Sequence, residues 1–333
     1  MWKTALGRQL GVAYPILSVG FGGGMAGPEL AAAVSNAGAC GVLGGGGMPA
    51  PYVRHLIRQV RTLTDKPFGV NILLPLLQEG QIETCLDEKV PLLVLFWGDP
   101  RPYVQEAHRR GTKVFLQVGS VEEAVAAAEA GVDAIIAQGV EAGGHVKSTT
   151  ALSTLVPAVV EAVQPVPVIA AGGIANGRGI VAAFSLGAQG VSLGTRFLCS
   201  EEARAVLAYK ERVVQGRAED TVHTFLFDVG WPDAAHRVLR NKAVEEWEAA
   251  GRPAPGGRPG EGELIGTMPL ADTTVEVRRY AVFPPMPGFT GDIEYAALYA
   301  GESCSLVNDI KPAGQIVHDL VREAEEAVRT LTA

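Results

Sequence analysis

A closed (β/α)8 barrel, a TIM barrel of α/β class with a smaller C-terminal extension or insertion, is the fold this sequence predicts. Three observations predict it. Between residue 15 and about residue 212, eight short apolar or β-branched runs recur, segments of helical period separate them, and the runs are apolar on nearly every residue. Continuous apolar character is what parallel strands covered on both faces require. Eight βα units in about 200 residues fit a closed barrel better than an open doubly wound sheet.

The runs are "PILSV" at 15, "CGVLG" at 40, "PFGVNILL" at 67, "PLLVLFWG" at 91, "KVFLQV" at 113, "DAIIAQG" at 133, "VPVIAAGG" at 166 and "GVSLGT" at 190. Between them lie helix candidates such as "PELAAAVSNAG", "PYVRHLIRQVRTL", "PYVQEAHRRG", "SVEEAVAAAEAG" and "GRGIVAAFSLGA". Several open on Pro or Ser and close on Gly, as helix ends prefer. Past residue 212 the rhythm stops, and "AAGRPAPGGRPGEGELIGTMP" at 249–269 is rich enough in Gly and Pro to read as an irregular loop. The closing "GQIVHDLVREAEEAVRTL" spaces its apolar residues as an amphipathic helix that packs back on the body. The division that follows is a barrel over 1–212, a smaller lid or insert over 213–290, and a C-terminal segment and helix over 291–333.

With 333 residues, 47% hydrophobic and 19% charged, the chain has the composition of a globular protein with a full core. A net charge of −8 argues against nucleic acid or an anionic membrane as partner. No apolar run approaches the ~20 residues that span a bilayer, and the N-terminal stretch lacks the pattern of a signal peptide. The cysteines, Cys40, Cys85, Cys199 and Cys304, are scattered without metal-ligand spacing, so they read as free or buried thiols and no metal site is expected. A cytoplasmic protein is the expectation.

"GGGMAG" at 22–27 formally satisfies the GxGxxG pattern of a dinucleotide-binding turn. It fails in context. The second strand runs into "GVLGGGGMPAP", which holds no acidic residue to bind a ribose. More informative are "AAGGI" at 170–174 and "SLGTRF" at 192–197, which end the seventh and eighth strands. Loops at those positions of a barrel commonly bind phosphate, because free backbone N–H groups point at the anion there. Gly172, Gly173, Gly194 and Thr195 occupy the required places, although tight turns alone would also call for glycine. A phosphate at this rim would belong to a substrate or to flavin mononucleotide, and spacing does not separate the two.

"AQGVEAGGHVKST" at 137–149 places His145 behind two glycines at the end of a strand. For an arbitrary histidine, a structural imidazole bonded to a nearby carbonyl is the default. At the C-terminal end of a barrel strand, a functional role is favoured. Asn71 and Gln138 are polar side chains ending apolar strands, a position that more often faces a ligand, and Gln117 is a weaker instance. Lys147 is either solvated or an attractor of anionic substrates. His55, His108, His223, His236 and His318 read as surface or packing residues.

The set "FGVNI" (68–72), "AQGVEAGGH" (137–145), "AAGGIANGRG" (170–179), "LGTRFL" (193–198) and "YAGESCSLVNDIKPAGQIV" (299–317) resembles the nitronate monooxygenase family, formerly the 2-nitropropane dioxygenases. Flavin-dependent enoyl-ACP reductases and certain NADH:quinone reductases share this scaffold. The resemblance implies noncovalent FMN, with its phosphate around Gly173 and Ser192, Leu193, Gly194 and Thr195. It further implies flavin-ring contacts from Gly20, Phe21, Gly22, Asn71 and Gln138, and Gly143 and Gly144 folded beside the cofactor so that His145 points at the substrate. The chain departs from the family pattern in three places. Phe21 stands where many relatives carry Met, Ser192 replaces a frequent Gln, and Val146 and Lys147 follow His145 where a glycine commonly comes second.

By that resemblance the reaction is oxidation of an alkyl nitronate with O2 to a carbonyl compound and nitrite. His145 acts either as an imidazolium or N–H donor holding the nitronate, or as the base that removes the α proton of a nitroalkane. The alternative within the class is an NAD(P)H-dependent reductase of enoyl thioesters or quinones. A barrel isomerase or lyase would need a strand-end lysine or a carboxylate pair, which these strand ends lack. A small-molecule substrate is the expected partner, and a homodimer is compatible with the architecture.

Overall fold

A computed structural model describes residues 1–270 and 273–332. The eight predicted runs become β1 (Ile16–Ser18), β2 (Gly41–Gly44), β3 (Phe68–Leu73), β4 (Leu92–Phe96), β5 (Lys113–Val118), β6 (Ala134–Gln138), β8 (Val168–Ala171) and β9 (Gly190–Leu193). A two-residue strand, β7 (Gly144–His145), lies outside the barrel. The eight are parallel in the order β1-β9-β8-β6-β5-β4-β3-β2. The ring shuts where Leu17 bridges Cys40, with the Ser18 N–H donating to the Cys40 carbonyl at 3.1 Å. The protein is a (β/α)8 barrel.

The strands are apolar on both faces because each face meets hydrocarbon. Inward, Leu17, Val42, Val94, Phe115, Ile136 and Ile169 fill the barrel. Outward, Leu43, Val70, Leu93, Leu116 and Ile135 pack under the helices. The opening helix Ala5–Leu10 adds Leu6 and Leu10 to the interior cluster, and Leu6 lies against Gly190 at the start of β9, plugging the N-terminal end. Helix Ala50–Leu63 buries Val53, Leu56, Ile57 and Val60, one stripe at helical spacing. The Ser120 hydroxyl caps the next-but-two helix by accepting from the Glu123 N–H at 3.2 Å, and Asn176 does the same for Gly179 at 2.9 Å. The predicted C-terminal helix runs Ala313–Thr332, burying Ile316, Val317, Leu320, Val321 and Ala324. Each of these Val, Leu and Ile side chains contributes roughly 1.5–3 kcal/mol of transfer free energy.

Beyond the barrel, β10 (Thr221–Thr224) and β11 (His236–Leu239) form an antiparallel sheet whose third strand is β7. The Gly/Pro-rich stretch is irregular only to residue 263. Leu264–Leu270 is a strand, β12, paired with β13 (Thr273–Arg278), because hairpin pairing overrides local composition there. This accessory region buries charge. Arg258 donates to the Leu226 carbonyl at 2.9 Å and to Asp228 at 2.7 Å, pairs with Glu261, and stands 4.5 Å from the Tyr280 ring centre. Arg279 pairs with Glu246 at 2.6 Å and lies over Tyr295 at 4.6 Å.

The four cysteines are free and buried, and burial pushes the Cys40, Cys85 and Cys199 thiols up to about 12. No helix among the described residues is long and apolar enough to cross a membrane.

Candidate active site

One cavity of about 240 Å³ opens at the C-terminal ends of the strands. Among the residues it gathers are Gly20, Phe21 and Gly22 after β1, Asn71 in β3, Gln138 ending β6, Gly143, Gly144 and His145 just beyond it, Gly172 and Gly173 after β8, and Ser192, Gly194 and Thr195 at β9. Leu193 is the exception. Strand alternation turns its side chain outward beside Val191 into the layer under the helices, away from the cavity. Gln117 lines the cavity; Lys147 does not, since it pairs with Glu123 and lies 5.6 Å from the Trp97 ring centre.

Two glycine positions have separate physical causes. Gly172 and Gly173 both hold positive φ, +100° and +70°, a pair of left-handed residues that side chains resist. At Gly143 the constraint is contact: a Cβ there would stand 2.3 Å from the Gly301 nitrogen. The loop therefore packs backbone against backbone on the C-terminal segment, a cause the sequence alone does not reveal. The Gly301 N–H also donates to the Thr195 hydroxyl at 3.0 Å, joining that segment to the end of β9.

The histidine loop is held mostly by the accessory region. His145 pairs with His236 and Gly144 with Arg237 across β7 and β11, and the Val146 N–H donates to the Ala235 carbonyl at 2.8 Å. Arg237, 7% exposed, donates from its guanidinium to the Val140 carbonyl at 2.9 Å and meets Glu302 at 3.2 Å. From the barrel side, Gln138 Nε2 donates to the His145 carbonyl at 3.0 Å.

The imidazole of His145 stacks on Trp231 with ring centres 4.1 Å apart, and Tyr299, His236 and Trp97 surround it at 5.5, 5.5 and 6.3 Å. This desolvation, with a smaller contribution from His236, lowers its pKa to about 3. Burial therefore favours the neutral ring over the imidazolium considered from the sequence. Its Nε2 is buried without a partner, as is Oε1 of Gln138. Buried polar atoms normally find partners, so two such atoms beside one cavity mark a place for a ligand's polar groups. His236 differs. Its Nδ1 lies 2.9 Å from the Ala234 carbonyl and its Nε2 accepts from the Phe227 N–H at 3.1 Å, so it is a satisfied packing residue that also touches the site.

Trp97, Trp231, Tyr299 and Arg237 were not singled out by the sequence. Trp231 and Tyr299 reach the cavity from distant parts of the chain, with no periodicity to announce them. The "YAGES" block holding Tyr299 was the available signal.

A polar-tipped, glycine-floored cavity at the C-terminal mouth of a (β/α)8 barrel defines an enzyme of small molecules. The chain belongs to the nitronate monooxygenase family, whose model matches residues 3–82 and 77–323, and it is an oxidoreductase. It is 30% identical to a probable nitronate monooxygenase of Staphylococcus aureus, over 99% of both chains. It is 36% identical over 253 residues to a Mycobacterium tuberculosis protein named as (3aS,4S,5R,7aS)-5-hydroxy-7a-methyl-1-oxo-octahydro-1H-indene-4-carboxyl-CoA dehydrogenase, covering 75% of this chain and 70% of that one. Among solved structures, FabK of Thermotoga maritima superposes with a TM-score of 0.84 at 35% identity, covering 100% of this chain and 99% of that one. The nitroalkane oxidase of Streptomyces ansochromogenes gives 0.79 at 29% identity, covering 98% and 100%.

Proposed function

We propose that this protein is an FMN-dependent oxidoreductase that oxidises alkyl nitronates with O2 to carbonyl compounds and nitrite. The observation that carries the reading is that His145 and Gln138 both line a cavity floored by glycine, and each holds a buried polar atom without a partner, Nε2 and Oε1. These residues fit the cofactor. Gly172, Gly173, Ser192, Gly194 and Thr195 would hold its phosphate, with Leu193 contributing backbone only, while Gly20, Phe21, Gly22, Asn71, Gln138 and Gly143 would hold its ring system. Bound there, FMN supplies the electron-accepting chemistry that no side chain of the cavity can.

The chain's own residues do the rest. His145, neutral, offers Nε2 as a hydrogen-bond partner to the substrate's polar head. Gln138 fixes the backbone that carries the ring, and Trp231 and Tyr299 keep water from it. Asn71, whose Nδ2 donates to the Val94 carbonyl at 3.0 Å, keeps its Oδ1 for the cavity.

The second reading is NAD(P)H-dependent reduction of an enoyl thioester or a quinone. One observation favours it: no Lys, Arg, Asp or Glu is among the described residues lining the cavity, which suits an uncharged acceptor. Anaerobic visible spectra decide between the readings. Bleaching by an alkyl nitronate and not by NADH supports the first, and rapid bleaching by NADH supports the second. A colourless protein that FMN cannot reconstitute overturns both. His145→Asn is expected to keep bound flavin and lose about 10²-fold or more in nitronate turnover; unchanged turnover would make His145 structural.

A further inference from the structure

The cavity has two walls of different origin. Leu73 and Leu76, from the end of β3 and the turn after it, come from the barrel, and Val282, Phe283 and Trp231 come from the accessory region. Trp231 is 5% exposed, is stacked on His145 and meets Trp97 edge-on at 5.3 Å. Trp97 itself sits at φ +64°, a conformation rare for a bulky residue, so the surrounding structure holds this aromatic pair in place against local preference. Lys147, which lies over Trp97 and does not line the cavity, is already paired with Glu123.

We infer that the accessory wall makes the enzyme selective for substrates whose body is apolar and uncharged, and that Trp231 is the residue that sets this selectivity. The inference rests on the nitronate reading for its assay. A nitronate places one charge at its reacting end, where His145 Nε2 and Gln138 lie. A second charge at the far end of the chain would meet a lining that includes Leu73, Leu76, Val282, Phe283 and Trp231 and, among the described residues, no Lys or Arg to pair with it, and an unpaired charge removed from water is disfavoured. A longer alkyl chain would instead gain contact with the same wall.

The test compares kcat/KM for ethyl, butyl and hexyl nitronates with that for a butyl-length nitronate ending in a carboxylate. Wild-type enzyme is expected to favour the longer alkyl chains and to disfavour the carboxylate by about a hundredfold. Trp231→Ala is expected to narrow that gap to about tenfold, mainly through KM, with flavin content unchanged. Trp231→Phe should retain most of the preference. Equal turnover of carboxylate and alkyl substrates by the wild type overturns the inference, whatever the variants do. An unchanged ratio in a flavin-loaded Trp231→Ala protein removes Trp231 from the role. If no nitronate is turned over by the wild type, it is the oxidase reading that fails, and the same series on enoyl thioesters then tests the wall.

Discussion

In the barrel, Leu92, Phe115 and Ile136 are buried among other hydrocarbon side chains, whereas beyond residue 200 the side chains buried to a similar degree include Arg258, Arg279 and His236. The first arrangement depends on packing and is indifferent to protonation near neutral pH. The second depends on partners: Arg258 on Asp228 and Glu261, Arg279 on Glu246 and two tyrosine faces, His236 on two backbone groups. His145 belongs to both, since it follows a barrel strand in the chain but pairs with an accessory strand in space. A rigid scaffold thus presents the cavity floor, while a region that buries paired charges beside its own apolar clusters positions the imidazole.

The largest effects break one side at a time. Phe115→Ala, in the barrel interior, is expected to cost about 3–5 kcal/mol and to raise hydrogen exchange in the barrel strands. Arg258→Met leaves Asp228 and Glu261 without their cation and is expected to cost about 3 kcal/mol, with faster exchange confined to the accessory strands. Identical exchange maps for the two variants would erase the distinction between the regions.

Acid sharpens the contrast next. Burial holds His236 down at about 4 and His145 at about 3, against about 6.5 when unfolded. Between those values the unfolded chain binds more protons than the folded one, so stability rises with pH there and is lost as pH falls from about 6.5 toward 4 and below. His236 alone accounts for a loss on the order of 3 kcal/mol. Unfolding free energies measured from pH 7 to pH 4, with exchange at residues 139–146 and 236–239, check this; a flat profile would contradict it.

Gly143→Ala has the narrowest reach. Its Cβ would stand 2.3 to 2.9 Å from backbone atoms of Gly301 and Ala300, which cannot swing aside as a side-chain tip would, costing about 3 kcal/mol. The expected readout is a fall of several degrees in Tm together with weakened retention of the proposed flavin.

The eight barrel strands were legible because each is a local apolar run with turn signals at its ends, and helix 313–332 because its stripe is periodic. The strand Leu264–Leu270 was not, since Gly and Pro dominate its approach and what makes it a strand is its pairing with Thr273–Arg278. The same limit applies to the site. The glycine-rich ends of β6, β8 and β9 stand out within single segments, and all but Leu193 of the expected residues line the cavity. Trp231, Tyr299 and Arg237 matter only by proximity, which a linear pattern does not encode. The neutral state of His145 likewise comes from aromatic neighbours that no spacing reveals.

The pairing of β7 with β11 orders events during synthesis. A ribosome releases Gly144 and His145 well before His236 and Arg237, and longer still before Tyr299 and Gly301. A nascent chain that has completed all eight barrel strands therefore owns the glycine floor of the cavity while its histidine loop has no strand to join. The imidazole of His145 takes its place only once residues 236–239 and then 299–301 have emerged and docked.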